Sequence, residues 1–177
     1  MRITLTGASG VGKTALAERL AEVIQLPLIP EIARQLCKER GFQRIGDIPD
    51  QEQFKFDVLD AQIEAEDARQ SFVADRCALD CWVLWQRWNI CTAMTYDTER
   101  IYQRSLLQAR KYTHIIYIPP LIDVVEDEFR WTDPDYRKQI DRIVRSSLYE
   151  MGLLDRTLSI TSTTVEERLQ EVKAWLA

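Results

Sequence analysis

The sequence predicts an α/β domain in which a mainly parallel sheet carries helices on both faces. Three observations predict it. Gly7 to Thr14, GASGVGKT, matches G-x-x-x-x-G-K-[ST] in full and sits between an apolar run and an amphipathic segment. Short apolar runs then alternate with helical patterns to the C-terminus, and successive parallel strands need such crossovers. Two of the predicted strands end on carboxylates, Glu31 and Asp75, at the edge where an open parallel sheet binds ligands. At 177 residues the chain predicts a single domain over 1–177.

The elements follow in order. Met1 to Thr6 reads as a strand that Gly7 breaks, and Lys13 onward as a helix with Leu16, Leu20 and Val23 on one face. Leu26 to Glu31 is the second strand; Ile32 to Arg40 is helical and stops at Gly41. Asp50 to Gln70, with Phe54, Val58, Ala61, Ile63 and Ala65 among acids and glutamines, predicts an exposed amphipathic helix. Ser71 to Asp75 is the third strand, followed at once by Arg76 and a helix from about Ala78 to Cys91. Trp82, Trp85 and Trp88 lie on neighbouring sides of that helix, which favours core and helix–helix packing, with stacking on a substrate ring as the alternative. Asp97 to Lys111 is another helix, and Thr113 to Pro120 a buried strand ended by two prolines. Leu121 to Tyr136 is charged, with a helix stop expected at Asp133-Pro134. Tyr136 to Met151 is helical, Gly152 caps it, Arg156 to Thr161 is the last strand, and Thr163/Thr164 open a terminal helix with Glu166 and Glu167 in its first turn.

Composition removes several classes of function. A net charge of −5 disfavours a general nucleic-acid-binding surface. No apolar run approaches the ~18 residues of a membrane span, and the start of the chain runs into a strand, so a cytoplasmic protein is expected. The four cysteines at 37, 77, 81 and 91 form no C-x-x-C pair, and one histidine, His114, offers no second imidazole for zinc. Cys77 and Cys81 are read as buried reduced thiols.

The chemistry gathers around the phosphate loop. Gly7, Gly10 and Gly12 let the backbone approach a polyphosphate, with Ala8, Ser9 and Val11 supplying further N–H groups to the same nest. Lys13 supplies a cation for the outer phosphates and Thr14 a hydroxyl for Mg²⁺. Phosphoryl transfer needs charge neutralisation and an aimed acceptor. Asp75 is therefore expected to share Mg²⁺ with Thr14, Glu31 to orient or deprotonate an acceptor hydroxyl, and Arg76 to contact the acceptor or a phosphate. Asp80 either pairs with Arg76 or binds the acceptor. The polar segment 121–136 is expected to close as a lid that brings Arg130 to the transferred group, with Arg137 as a second candidate.

GASGVGKT, PEIAR at 30–34, the long helix with Gln62 and Glu66, VADRCALD at 73–80 and EDEFRWTDPDYR at 126–137 together resemble the small AAA-type family grouped with the NadR ribosylnicotinamide kinase domain, close to the nucleoside and nucleotide kinases. The resemblance covers nearly the whole chain in order. It implies an ATP- or GTP-binding fold of three layers with a five-stranded parallel sheet ordered 2-3-1-4-5, an acid after strand two near the acceptor, an Asp-Arg pair after strand three and a lid arginine. Carried onto this chain, these are Glu31, Asp75, Arg76 and Arg130. The resemblance does not carry the acceptor: the 177 residues hold no adenylyltransferase domain of the kind fused in bifunctional NadR proteins, and no aromatic pair matches its nicotinamide site.

The expected function is a Mg²⁺-dependent kinase that moves the γ-phosphate of ATP to a hydroxyl of a small, nucleoside-like molecule. The alternative is an ATP- or GTP-binding switch acting on a protein or lipid partner; the absence of an N-K-x-D stretch argues against its GTP form.

Overall fold

A computed structural model describes residues 1–121 and 133–177. Most of the expected lid segment 121–136, with Arg130, lies outside the described residues.

Five strands form one sheet: β1 (Arg2–Thr6), β2 (Leu28–Ile29), β3 (Phe72–Asp75), β4 (His114–Tyr117) and β5 (Thr157–Ser159), in the order β2-β3-β1-β4-β5. Every pairing is parallel. The helices between them are α1 (Lys13–Ile24), α2 (Ile32–Glu39), α3 (Gln51–Asp67), α4 (Ala78–Trp88), α5 (Thr95–Ala109), α6 (Pro134–Glu150) and α7 (Val165–Leu176). α1 packs against α7, while α3, α5 and α6 pack around α4. The central strands carry an apolar core because helices cover both faces: Ile3, Leu5, Phe72, Val73, Ala74, Ile115 and Ile116 are all fully buried. α1 adds Leu16, Ala17 and Leu20, and a smaller cluster of Cys37, Ile48 and Phe54 joins α2 to α3.

Register carries the site. Leu5 of β1 stands opposite Asp75 of β3, and Thr6 opposite Tyr117 of β4. The last residue of β3 is thus level with the penultimate residue of β1, two residues before Gly7 opens the phosphate loop.

Several expected boundaries differ. β2 spans only two residues, because Pro27 and Pro30 flank it without an N–H to donate to a ladder. Glu31 accordingly is not a strand residue but the N-cap of α2. Asp133-Pro134 starts a helix where a stop was expected: the Asp133 carboxylate accepts from the Tyr136 N–H at 2.7 Å, and Pro134 occupies the first turn, where its missing N–H costs nothing. Val23 does not share the buried face of Leu16 and Leu20; that face runs through Ala17 and Ala21, and Val23 is exposed. The expected terminal helix start is found at Thr164, whose hydroxyl and the Glu167 carboxylate form a reciprocal capping box. All four cysteines are free.

Candidate active site

The phosphate loop is shaped by glycines at positions that admit nothing larger. Gly7 has φ +138°, and a Cβ there would lie 2.4 Å from the Ile118 carbonyl oxygen, where β4 runs past the end of β1. Gly12 has φ +88° and would place a Cβ 2.8 Å from Nη1 of Arg168. Gly12 is also the N-cap of α1, so the loop opens directly onto a helix N-terminus. Lys13 is buried and folds back on the loop, its Nζ donating to the carbonyls of Gly7 at 2.9 Å and Ala8 at 2.5 Å. Burial, then the charge of Arg76, bring its ammonium down to about 7 against the pull of Asp80, Asp75 and Glu31. An arriving phosphate would replace two carbonyls with full negative charge.

Thr14 Oγ1 donates to Asp75 Oδ2 at 2.6 Å. The other oxygen, Oδ1, is buried and has no hydrogen-bond partner among the described residues. An orphaned carboxylate oxygen beside a hydroxyl is a donor set suited to Mg²⁺, which takes few protein oxygens and fills its remaining positions with water and substrate phosphates. Among the described residues no cluster of three or more His, Cys, Asp or Glu offers a fuller cage.

Arg76 directly follows β3 in a left-handed conformation, φ +78°, unusual for a residue with a side chain. The turn brings its guanidinium between two acids. Nε donates to Glu31 Oε1 at 2.8 Å and Nη1 to Asp80 Oδ1 at 3.1 Å. Arg34 Nε lies 3.3 Å from Glu31 Oε2. Burial would raise the Glu31 carboxyl, but the charge and hydrogen bond of Arg76 outweigh it, and the group is held at about 2. Arg76 is in turn held firmly protonated, since Glu31, Asp80 and Asp75 together override the cost of its burial. Asp80 pairs with Arg76 and does more: Oδ2 accepts from the Cys77 N–H at 3.0 Å, capping α4, and Oδ1 accepts from Thr6 Oγ1 at 3.2 Å. Buried with these partners, Asp80 holds the end of β1 and the start of α4 around the arginine.

Glu31, Asp75, Arg76, Lys13, Thr14 and Gly12 line one cleft of about 270 Å³. Glu31, 45 residues before Arg76, reaches it through the early end of β2. Other residues singled out in the sequence stand apart from the cleft. Gln62 is buried and donates to Glu66 Oε1 at 2.7 Å and towards the Arg76 carbonyl at 3.5 Å. Glu66 also accepts from Tyr112 Oη at 3.0 Å, and that hydroxyl accepts from the Ala78 N–H at 2.9 Å. A buried polar chain thereby supports the Asp75–Ala78 turn from behind. Trp85 is fully buried edge-on to Phe56 with its Nε1 on Thr98, and Trp82 packs edge-on to Tyr102 at 4.9 Å. Trp88 is exposed, with Arg87 stacked on its ring at 4.4 Å. Arg137 is buried in α6.

Arg168 was not singled out in the sequence, yet its guanidinium donates to the Val11 carbonyl of the phosphate loop at 2.6 Å. Its one sequence signal is a charge within the stripe Val165, Arg168, Leu169, Val172 on a terminal helix.

A parallel sheet of this order, a glycine loop between β1 and α1, an acid after β2 and an acid at the end of β3 define a P-loop protein built like the small-molecule kinases. A family model described as AAA domain matches residues 2–168, and the chain belongs to that family. No curated protein matches it in sequence. Among solved structures, NadR protein in complex with NR superposes with a TM-score of 0.76 at 19% identity, over 98% of this chain and 50% of that one. The chain thus spans about half the length of the NadR chains it matches. Deoxyadenosine kinase from M. mycoides superposes with a TM-score of 0.71 at 12% identity, over 99% of this chain and 98% of the other. Shikimate kinase from Aquifex aeolicus superposes at 0.57 and 17% identity, over 99% and 96%. At these identities the likeness is one of fold. No helix among the described residues is long and apolar enough to cross a membrane.

Proposed function

We propose that the protein is a kinase that transfers the γ-phosphate of ATP to a hydroxyl group of a small, nucleoside-like acceptor. The observation that carries this reading is the Glu31–Arg76–Asp80 ion-pair cluster beside the phosphate loop: nucleotide binding alone does not call for a half-buried carboxylate held ionised beside that loop. Structural neighbours that include a deoxyadenosine kinase with bound dATP and a NadR protein with NAD and AMP-PNP support it.

The chain's own groups divide the work. The loop N–H groups and Lys13 receive the polyphosphate, Lys13 exchanging two carbonyl partners for phosphate oxygens. Thr14 and Asp75 would hold Mg²⁺, which supplies charge neutralisation on the phosphates when bound. Glu31 accepts a hydrogen bond from the acceptor hydroxyl and aims its oxygen. A carboxylate held at about 2 is a weak base, so its part is orientation more than early proton removal, as a loose phosphoryl transition state requires. Arg76 fixes Glu31 and faces the acceptor side of the cleft. Arg130 is assigned to the transferred phosphoryl group from the sequence, by the polar segment that carries it and by the resemblance.

The test is ADP release from ATP and Mg²⁺ across a panel of nucleosides. Stimulation by one or more members is expected. Basal hydrolysis that no nucleoside or other small alcohol stimulates would overturn the reading.

A further inference from the structure

Among the described residues Arg168 is the largest charged side chain that is fully buried, 1% exposed, and the phosphoryl-transfer chemistry leaves it unused. Both of its hydrogen-bond partners are backbone carbonyls. Nη1 donates to Val11 O at 2.6 Å and Nε to Ser162 O, in the turn between β5 and α7, at 3.0 Å. Nη2 is buried with no hydrogen-bond partner among the described residues. A guanidinium taken out of water with two neutral carbonyls as its hydrogen-bond partners is costly even with the charge of Glu171 working against that cost, and such a charge persists where something else is gained.

The gain is legible in the peptide it holds. The Val11–Gly12 bond is trans, so the Val11 carbonyl and the Gly12 N–H point in opposite directions. Fixing the carbonyl onto Arg168 on the outer side of the loop turns the Gly12 N–H to the inner side, and Gly12 lines the cleft. A hydrogen bond from a charged donor also polarises the peptide, strengthening that N–H as a donor. Glycine at 12 and arginine at 168 fit one another, since a Cβ at Gly12 would sit 2.8 Å from Nη1. The far end of the guanidinium is itself well founded. The Glu171 carboxylate accepts from the N–H of Thr161 at 3.0 Å and of Ser162 at 2.7 Å, and from both of their hydroxyls, so the turn that receives Nε is pinned to α7.

The geometry points to Arg168 as a positioning residue for the phosphate cradle: it holds and polarises the Val11–Gly12 peptide so that the Gly12 N–H meets a polyphosphate already aimed. The inference rests on the phosphate-loop part of the kinase reading and not on the acceptor.

The test measures binding of tripolyphosphate alone, without Mg²⁺, and of ATP, by calorimetry. Arg168→Met loses about tenfold in affinity for both ligands, the loss expected for one charge-assisted hydrogen bond, while the KM of the acceptor stays unchanged. Arg168→Lys, which keeps the charge but cannot fork to both carbonyls, recovers part of the affinity. Val172→Ala, a buried truncation one turn along α7 that leaves the Arg168 hydrogen bonds in place, lowers the melting temperature but leaves tripolyphosphate affinity within about twofold. If Arg168→Met does not fold, the ratio is read on Arg168→Lys, with about a threefold loss expected. An Arg168 variant that melts earlier yet binds tripolyphosphate as the unmodified chain does makes the arginine a strut only and overturns the inference. An unmodified chain that binds neither ligand overturns the kinase reading together with it.

Discussion

Glu31→Gln separates structure from chemistry at the cluster on which the functional reading depends. The carboxylate sits at about 2 in the folded protein against 4.5 for the free side chain. The difference of about 2.5 units, at 1.36 kcal/mol each, corresponds to about 3 kcal/mol of favourable interaction, mostly with Arg76. Its side chain is 14% exposed, so solvent screens little of this. For a carboxyl whose pKa falls on folding, the unfolded chain binds the proton more readily. The stabilisation is therefore complete above 4.5 and is lost as pH falls from there towards 2. Chemical denaturation from pH 7 down to pH 3 should show the unmodified protein losing stability faster than Glu31→Gln, whose deficit at pH 7, approaching 3 kcal/mol, shrinks in acid. Kinetically, the variant should bind ATP within about threefold of normal while transfer falls 10- to 100-fold, because the amide cannot accept from the acceptor hydroxyl as a charged oxygen does. Equal losses of ATP affinity and turnover would make Glu31 a structural partner of Arg76 alone. A stability deficit independent of pH would refute the electrostatic argument itself.

Three further outcomes are expected. Gly7→Ala forces a Cβ to 2.4 Å from a backbone oxygen at a φ of +138°, and should cost more than about 2 kcal/mol in denaturant unfolding or prevent folding outright; near-normal stability would mean the β1–β4 approach is looser than described. Asp75→Asn should leave nucleotide binding without metal intact but raise the Mg²⁺ concentration needed for half-maximal turnover about tenfold, since the orphaned Oδ1 is the oxygen it neutralises; an unchanged Mg²⁺ titration would remove Asp75 from the metal. With Lys13 at about 7 in the free protein, polyphosphate binding raises its pKa, so calorimetry at about pH 8.5 in buffers of different ionisation enthalpy should register proton uptake that Lys13→Met abolishes, and no uptake would contradict the burial argument.

What could be read from the sequence was whatever local spacing encodes. GASGVGKT between an apolar run and an amphipathic segment determines strand, loop and helix because all three lie within one continuous stretch. The sheet order 2-3-1-4-5 followed from the resemblance and is the order found. Asp75 and Glu31 are legible as acids after apolar runs, but that Glu31 caps α2 depends on Pro27 and Pro30 cutting β2 short, a restraint that the apolar pattern by itself does not register. Asp133-Pro134 was read as a stop although the same pair, N-cap then proline, opens a helix. Asp80 was open between two roles because its partners, Thr6 and Cys77 as well as Arg76, converge only when β1 and β3 pair. The left-handed turn at Arg76 and the grip of Arg168 on the phosphate loop are tertiary facts, the second bridging 157 residues.

The most direct measurement is the mass of the acceptor after incubation with ATP and Mg²⁺, for the unmodified protein and for Glu31→Gln side by side. The account predicts a phosphorylated alcohol from the unmodified protein and almost none from the variant, although both bind ATP. Hydrolysis of ATP with every candidate acceptor recovered unchanged, or equal product from both proteins, would contradict it.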